Sequence, residues 1–231
     1  CTAIAVIYNS DGTFKEYFYP KCPSYHTFIN TRIIADSPDS LLWAGIGDAL
    51  SKEYEVLFAT RAEELFHTTL LGAQLSKACT APLIDFGAKA LEDCKANKAS
   101  YELEQVALDI IISTGIVSNL TSGGEKYYYN SSLGHAFYYG STVIPKAEKH
   151  LHGEVVSFGV LCLLTYDNQL EERERIMKFH KTIGLPTCLA DMEITEEDIP
   201  AIVEKASTVR EWTCVCKILK KKPHCIRKKT V

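Results

Sequence analysis

Hydrophobic and polar positions along this chain change their period once, near residue 37. Before that point the alternation is close to two. Residues 2–8 (TAIAVIY) and 14–19 (FKEYFY) are rich in β-branched and aromatic side chains, which suit a pleated, half-buried surface. Between them lies NSDGT, and its Asp11-Gly12 pair is a strong turn signal because both residue types tolerate positive φ. The pattern predicts a β-hairpin here and a further short strand near His26–Ile33.

Beyond residue 37 the apolar positions recur every three or four residues. Asp36-Ser37-Pro38 offers an N-cap followed by proline at the first helical position. LLWAGIGDAL then leads into SKEYEVLFATRAEELFHTTLLGAQLSKA, and the periodicity predicts two or three helices over 47–97, punctuated by Gly72 and Pro82. Residues 101–120 read as a strongly apolar helix stopped by Ser122-Gly123-Gly124. VVSFGVLCLLTY, 155–166, is apolar on every face, as a helix in the middle of a bundle is. The amphipathic stretch NQLEERERIMKFHKTIGLP follows, with Gly184 and Pro186 where a cap and a stop belong. Thr195-Glu196-Glu197-Asp198 resembles a capping box that opens a last helix to about residue 207. The expected fold class is mainly α: a β-rich stub over 1–36, a helical domain over 37–207 and a divergent basic tail over 208–231. Two or three strands without partners hide too little surface to stand alone, so the stub is expected to be part of something larger.

Composition narrows the classes. With 231 residues, 46% of them hydrophobic, the chain can bury a substantial core. No run of about eighteen uninterrupted apolar residues occurs, and CTAIAVIYNSDG has no basic leader, so neither a membrane span nor a secretion signal is expected. The formal net charge is −4 and only the tail KILKKKPHCIRKK is basic, which gives no reason to expect nucleic acid as a partner. Nine cysteines, an odd number without a C-x-x-C pair, fit a reduced, cytoplasmic chain better than a disulfide scaffold. The sequons at Asn119 and Asn130 then read as chance matches. Because the chain opens on Cys1 inside an apolar strand pattern, it is expected to lack whatever precedes that strand.

Three residues carry candidate chemistry. Asp48, in GIGDAL, is expected at the start of a helix, where a carboxylate can cap free N–H groups. His135 follows Gly134 in SSLGHAFYYG, and His152 heads the apolar run 155–166. Taken alone, Asp48 reads equally as a helix cap, and each histidine reads first as a structural residue. Together, one carboxylate and two imidazoles at the rims of buried helices could give a divalent metal three protein ligands and an open fourth position, the count a catalytic zinc site needs.

GIGDAL, then GHA, whose His135 comes 87 positions after Asp48, then LHGEVVSFGVL resemble the glycerol dehydrogenase branch of the iron-containing alcohol dehydrogenase superfamily. CTAIAVIYNSDGTFKEY also resembles that family's hairpin strand, and the match runs with gaps over residues 1–206. The resemblance implies an all-helical, dehydroquinate synthase-like C-terminal domain, the hairpin being a remnant of a missing Rossmann-like domain. It further implies NAD-dependent oxidation of glycerol, or a related vicinal diol, to dihydroxyacetone or the corresponding hydroxyketone. Asp48, His135 and His152 would serve as catalytic metal ligands, and Thr2 and Ile4, with Val6 and Tyr8 nearby, would contact the cofactor. The iron-dependent branch carries a histidine four positions after the aspartate; Lys52 stands there, which favours zinc. A homo-oligomer acting on a small polyol is implied as well. The glycine-rich pyrophosphate loop and a substrate-contacting aspartate before the hairpin have no counterpart, the ending past residue 207 does not resemble the family's, and Tyr138 replaces a further histidine. The chain is therefore expected to bind zinc but to be inactive alone. Two other readings stand beside this one: a glycerol-1-phosphate dehydrogenase-like or dehydroquinate synthase-like enzyme, which would need cations near the three ligands, and a non-catalytic helical module kept for metal binding or oligomer contacts.

Overall fold

The computed structural model describes residues 2, 5–8, 10, 14–61, 63–124 and 126–214. Strand β1 (Ala5–Tyr8) pairs antiparallel with β2 (Phe14–Phe18), Ala5 opposite Phe18 and Val6 opposite Tyr17, with an irregularity between Ile7 and Tyr8. The Asp11-Gly12 turn expected between them lies outside the described residues. No third strand joins this pair among the described residues. The strand expected near His26–Ile33 is instead extended coil running into a short helix, α1 (Thr31–Ala35). Asn30 decides the matter locally, since its side chain accepts a hydrogen bond from Arg32 N at 3.0 Å and starts the helix. Tyr25 and Phe28, 90% and 92% exposed, have no neighbouring strand against which β-propensity could act.

Ten further α-helices, a π turn and three 3₁₀ turns, joined by loops, account for the elements that follow among the described residues. Helix α2 (Asp39–Ala49) has Pro38 as its N-cap, so the proline stands one place earlier than expected, and Asp36 closes α1 and pairs with Arg32 instead. Helix α3 (Ser51–Thr60) follows with only Leu50 between, and Leu50 keeps right-handed helical dihedrals. The helical periodicity therefore passes through the junction almost unbroken. Next come α4 (His67–Ser76), α5 (Ala81–Lys95), α6 (Tyr101–Leu108) and α7 (Thr114–Thr121). Then follow α8 (Leu133–Ser141), α9 (His152–Tyr166), α10 (Leu170–Ile183) and α11 (Ile199–Ala206). Pro82 sits in the first turn of α5, as its missing N–H prefers. Gly72 does not punctuate: it lies inside α4, where a Cβ would meet Thr121 and Leu120 of α7 at 2.8 and 2.9 Å. Gly184 caps α10 at φ +78°, and Thr195 with Asp198 forms the reciprocal cap that leads into α11.

Helix α9 is the centre of the bundle, packed against α2, α3, α8 and α10. Its Val160, Leu163 and Leu164 are buried with Ile46, Phe58 and Leu83 in the main core. Two of its contacts are backbone on backbone. A Cβ on Gly47 of α2 would stand 2.5 Å from Gly153 O, and one on Gly153 would overlap Ala44 O. On the opposite side, a Cβ on Gly159 would stand 2.5 Å from Gly134 O of α8. These glycines flank the candidate residues: Gly47 precedes Asp48, Gly134 precedes His135 and Gly153 follows His152.

The apolar run Tyr101–Thr121 is long and apolar enough, by length and composition, to cross a membrane. It is not a uniform α-helix, because residues Asp109–Ser113 between α6 and α7 form a π turn. Here α6 packs on α5, α7 packs on α4, and a buried carboxylate, Asp109, sits at the π turn.

Two expectations test this packing. Gly153→Ala should force α9 off α2; overpacking of this kind costs about 3 kcal/mol, so the thermal midpoint should drop by roughly 6–12 °C. His180 gives a pH signature: it is fully buried, its Nδ1 donates to Pro186 O at 2.8 Å, and burial pushes its pKa down to about 4 against that bond. The fold holds a neutral ring, so its contribution is whole above the unfolded pKa of about 6.5 and is lost as pH falls from there towards 4. Urea midpoints from pH 8 to 4.5 should show wild type losing up to about 3 kcal/mol more than His180→Gln.

Candidate metal centre

Asp48 does not start a helix. It is the next-to-last residue of α2, so the dipole argument for it fails. What places it is the near-continuous run of α2 into α3, which sets Asp48, Lys52 and Glu55 at positions i, i+4 and i+7 on one helical face. That face meets the first turn of α8, which carries His135, and the first residue of α9, which is His152.

Three donor atoms converge there. Asp48 Oδ1 lies 3.4 Å from His135 Nε2 and 3.2 Å from His152 Nε2. One ligand atom from each of the three residues lies within 4.8 Å of the other two. Neither close contact has hydrogen-bond geometry, and Asp48 Oδ1 is shut off from solvent even though the side chain as a whole is partly exposed. Zinc bonds of about 2.1 Å in a tetrahedral set would separate neighbouring donors by about 3.4 Å. The observed spacings and the undonated oxygen fit a divalent metal with three protein ligands, and a nitrogen-and-oxygen donor set suits zinc.

Glu55, which sequence reasoning passed over, organises the site. Its carboxylate is fully buried, and Oε1 accepts from Ser132 N at 2.7 Å and His135 N at 2.9 Å, capping α8 from another helix. Oε2 lies 2.6 Å from His135 Nδ1. A proton on Nδ1 donated to Glu55 leaves the Nε2 lone pair facing Asp48, the arrangement a metal-binding imidazole requires. Burial alone would favour a neutral ring, but Glu55 and Asp48 together push the His135 pKa up to about 10. Burial likewise opposes charge on Asp48, yet the two imidazoles outweigh it and hold its carboxyl well below the usual range. Metal would enter by displacing a proton, so its affinity rises with pH. His152 is set by contact with an aromatic ring: Tyr138 stands edge-on to it with 4.2 Å between ring centroids. The spacing D-x-x-x-K-x-x-E was the one signal that could have found Glu55 in the sequence.

A cavity of about 840 Å³ opens beside the three donors. Ile110, Thr114 and Ser118, spaced by four across the π turn, form part of its wall, with Tyr139 and Asn130. Thr2, expected at the cofactor, lines the same cavity. Ile4 lies outside the described residues, as do the side chains of Val6 and Tyr8, whose backbone is in β1.

No protein-family model matches the chain. Glycerol dehydrogenase from Escherichia coli is 33% identical to it over 223 residues, 93% of this chain and 56% of the relative. Glycerol dehydrogenase from Thermotoga maritima is 31% identical over 220 residues, 91% of this chain and 58% of the relative. A crystal structure of a probable glycerol dehydrogenase from Sinorhizobium meliloti superposes with a TM-score of 0.80 at 27% identity, covering 93% of this chain and 61% of that one. The likeness to glycerol dehydrogenases thus extends over nearly the whole chain, which spans little more than half the length of these relatives.

The arrangement around Glu55 makes a specific expectation. In Glu55→Gln the amide oxygen can keep the two backbone N–H groups, but the amide nitrogen must then donate to His135 Nδ1. That forces the ring proton onto Nε2, towards the metal position. Zinc affinity should fall about 10- to 100-fold, as measured by competition with a chromophoric chelator at pH 8.

Proposed function

We propose that this chain is the metal-binding helical part of an NAD-dependent dehydrogenase that oxidises glycerol, or a related vicinal diol, to dihydroxyacetone or its analogue. The observation that carries this reading is the convergence of Asp48 Oδ1, His135 Nε2 and His152 Nε2 on one point beside a cavity. The likeness to glycerol dehydrogenases supports the substrate and the cofactor. In this reading residues 1–36 are a strip of the nucleotide-binding domain, 37–207 the metal domain and 208–231 a divergent tail.

Zinc bound to Asp48, His135 and His152 would supply a Lewis acid for the substrate hydroxyls. The chain's own residues do the rest. Glu55 keeps His135 in the binding tautomer, and Tyr138 fixes the plane of His152. Ile110 and Thr114 line the cavity wall and limit the water that reaches it, while Tyr139 and Ser118 border the space for the diol. Thr2, with Ile4, Val6 and Tyr8, is assigned to the nicotinamide side. Free thiols at Cys22, Cys79, Cys94, Cys162 and Cys188 suit a reducing, cytoplasmic setting. By likeness to its relatives the complete protein would self-associate.

Zinc content of the purified chain tests the reading, measured by mass spectrometry beside Asp48→Ala and His152→Ala. We expect about one zinc per wild-type chain and little in either variant, with no NAD-dependent glycerol oxidation by the chain alone. A folded wild type without zinc would overturn the metal assignment, and rapid turnover by the isolated chain would overturn the view that it is one part of the enzyme.

A further inference from the structure

The cavity that holds the three donors also holds a buried cation. Lys52, one turn after Asp48 on the same helical face, is 7% exposed and lines the cavity. Its Nζ donates to Asn130 Oδ1 at 2.6 Å and Asn130 O at 3.2 Å, both uncharged acceptors. An ammonium has three protons, and these bonds use two. Among the described residues no carboxylate approaches Nζ within 4 Å; burial pushes the Lys52 pKa below the usual lysine value, and the nearby Asp48 and Glu55 carboxylates oppose that fall. Glu55 is already committed to His135 and two backbone N–H groups, and Asp48 Oδ1 faces the two imidazole nitrogens at 3.4 and 3.2 Å. A lysine kept only to neutralise one of them would be expected to pair with it directly. This one is instead braced by Asn130 at the wall of the space where a substrate would lie. With a divalent ion in place and the imidazoles neutral, two carboxylates, one ammonium and the ion leave the site with a net positive charge. Exposed Lys205 adds a second cation at the cavity's edge.

We propose that Lys52 is a specificity-determining residue that receives a carboxylate carried by the vicinal diol on the carbon next to the reacting hydroxyl, so that among vicinal diols the cleft prefers an anionic one, such as glycerate, to a neutral one. The placement of the hydroxyl rests on the metal-centre reading above; the placement of the carboxylate rests on Lys52 and Asn130. A buried ammonium with a free proton gains most from an anionic oxygen, because in low dielectric such a charge-assisted bond is about twice as strong as a neutral one. A third hydroxyl in the same place would offer only the weaker bond.

Calorimetric titration of the full chain with glycerate and with glycerol tests this, in zinc-loaded and zinc-free forms. Zinc content and circular dichroism are recorded for each variant. Zinc-loaded wild type should bind glycerate at least tenfold more tightly than glycerol. Lys52→Gln should lose that preference while its zinc content is unchanged; Lys52→Arg should keep most of the preference. Lys52→Met is the second neutral variant should the glutamine form fail to fold. Equal affinities in wild type, no glycerate binding in either form, or an undiminished preference in the neutral variants would each overturn the proposal. If the chain takes up no zinc but still binds glycerate through Lys52, the metal assignment fails and the role of Lys52 stands.

Discussion

The arrangement depends on how closely three helix backbones approach one another. Gly47 and Gly153 let α2 and α9 touch main chain to main chain, and Gly134 and Gly159 do the same for α8 and α9. Side chains at these crossings would hold helix axes at the usual 8–10 Å or beyond, because protein interiors have no spare volume. Since each candidate ligand is the immediate neighbour of one of these glycines, the close approach that packs the core also sets the spacing of Asp48, His135 and His152. Core and site are thus fixed by the same contacts.

Electrostatics are then distributed along one helical face. Glu55 caps the N-terminus of α8, where a carboxylate is favoured by four free N–H groups and the helix dipole, and the same carboxylate orients His135. Its burial would be costly if it were unpaired; two backbone donors and an imidazole satisfy it. Asp48 at i−7 and Lys52 at i−3 put a second acid and a cation on the same stripe, so about two turns hold a cap, a cation and a candidate ligand. The π turn at Asp109–Ser113 turns the opposite wall, so that Ile110, Thr114 and Ser118 line the cavity.

Likeness to glycerol dehydrogenases fits this geometry and gives it scale. The match to the Escherichia coli relative takes in 93% of this chain and 56% of that protein, and it includes the helices and Thr2 that line the cavity. Among the described residues β1 and β2 form a sheet only with each other, and Phe18 and Tyr19 are more than half exposed. A two-stranded ribbon of this kind is marginal in water without further packing.

Much of the helical order was legible in the sequence because it is local. Gly184 and the Thr195–Asp198 cap follow from dihedral preference and short-range hydrogen bonds, and the all-round apolar run 155–166 had to be central to some core. Where local signals conflicted, the sequence misled: Ile33 and Ile34 suggest a strand, but Asn30 caps a helix and no partner strand adjoins it. The motifs also marked Asp48, His135 and His152 before any geometry was known. Sequence alone did not reveal Glu55 or the orientation of Lys52, because each takes its meaning from α8 and the loop at Asn130, about 80 residues away along the chain. Periodicity fixes which side of a helix a residue occupies, but only tertiary packing decides what that side faces.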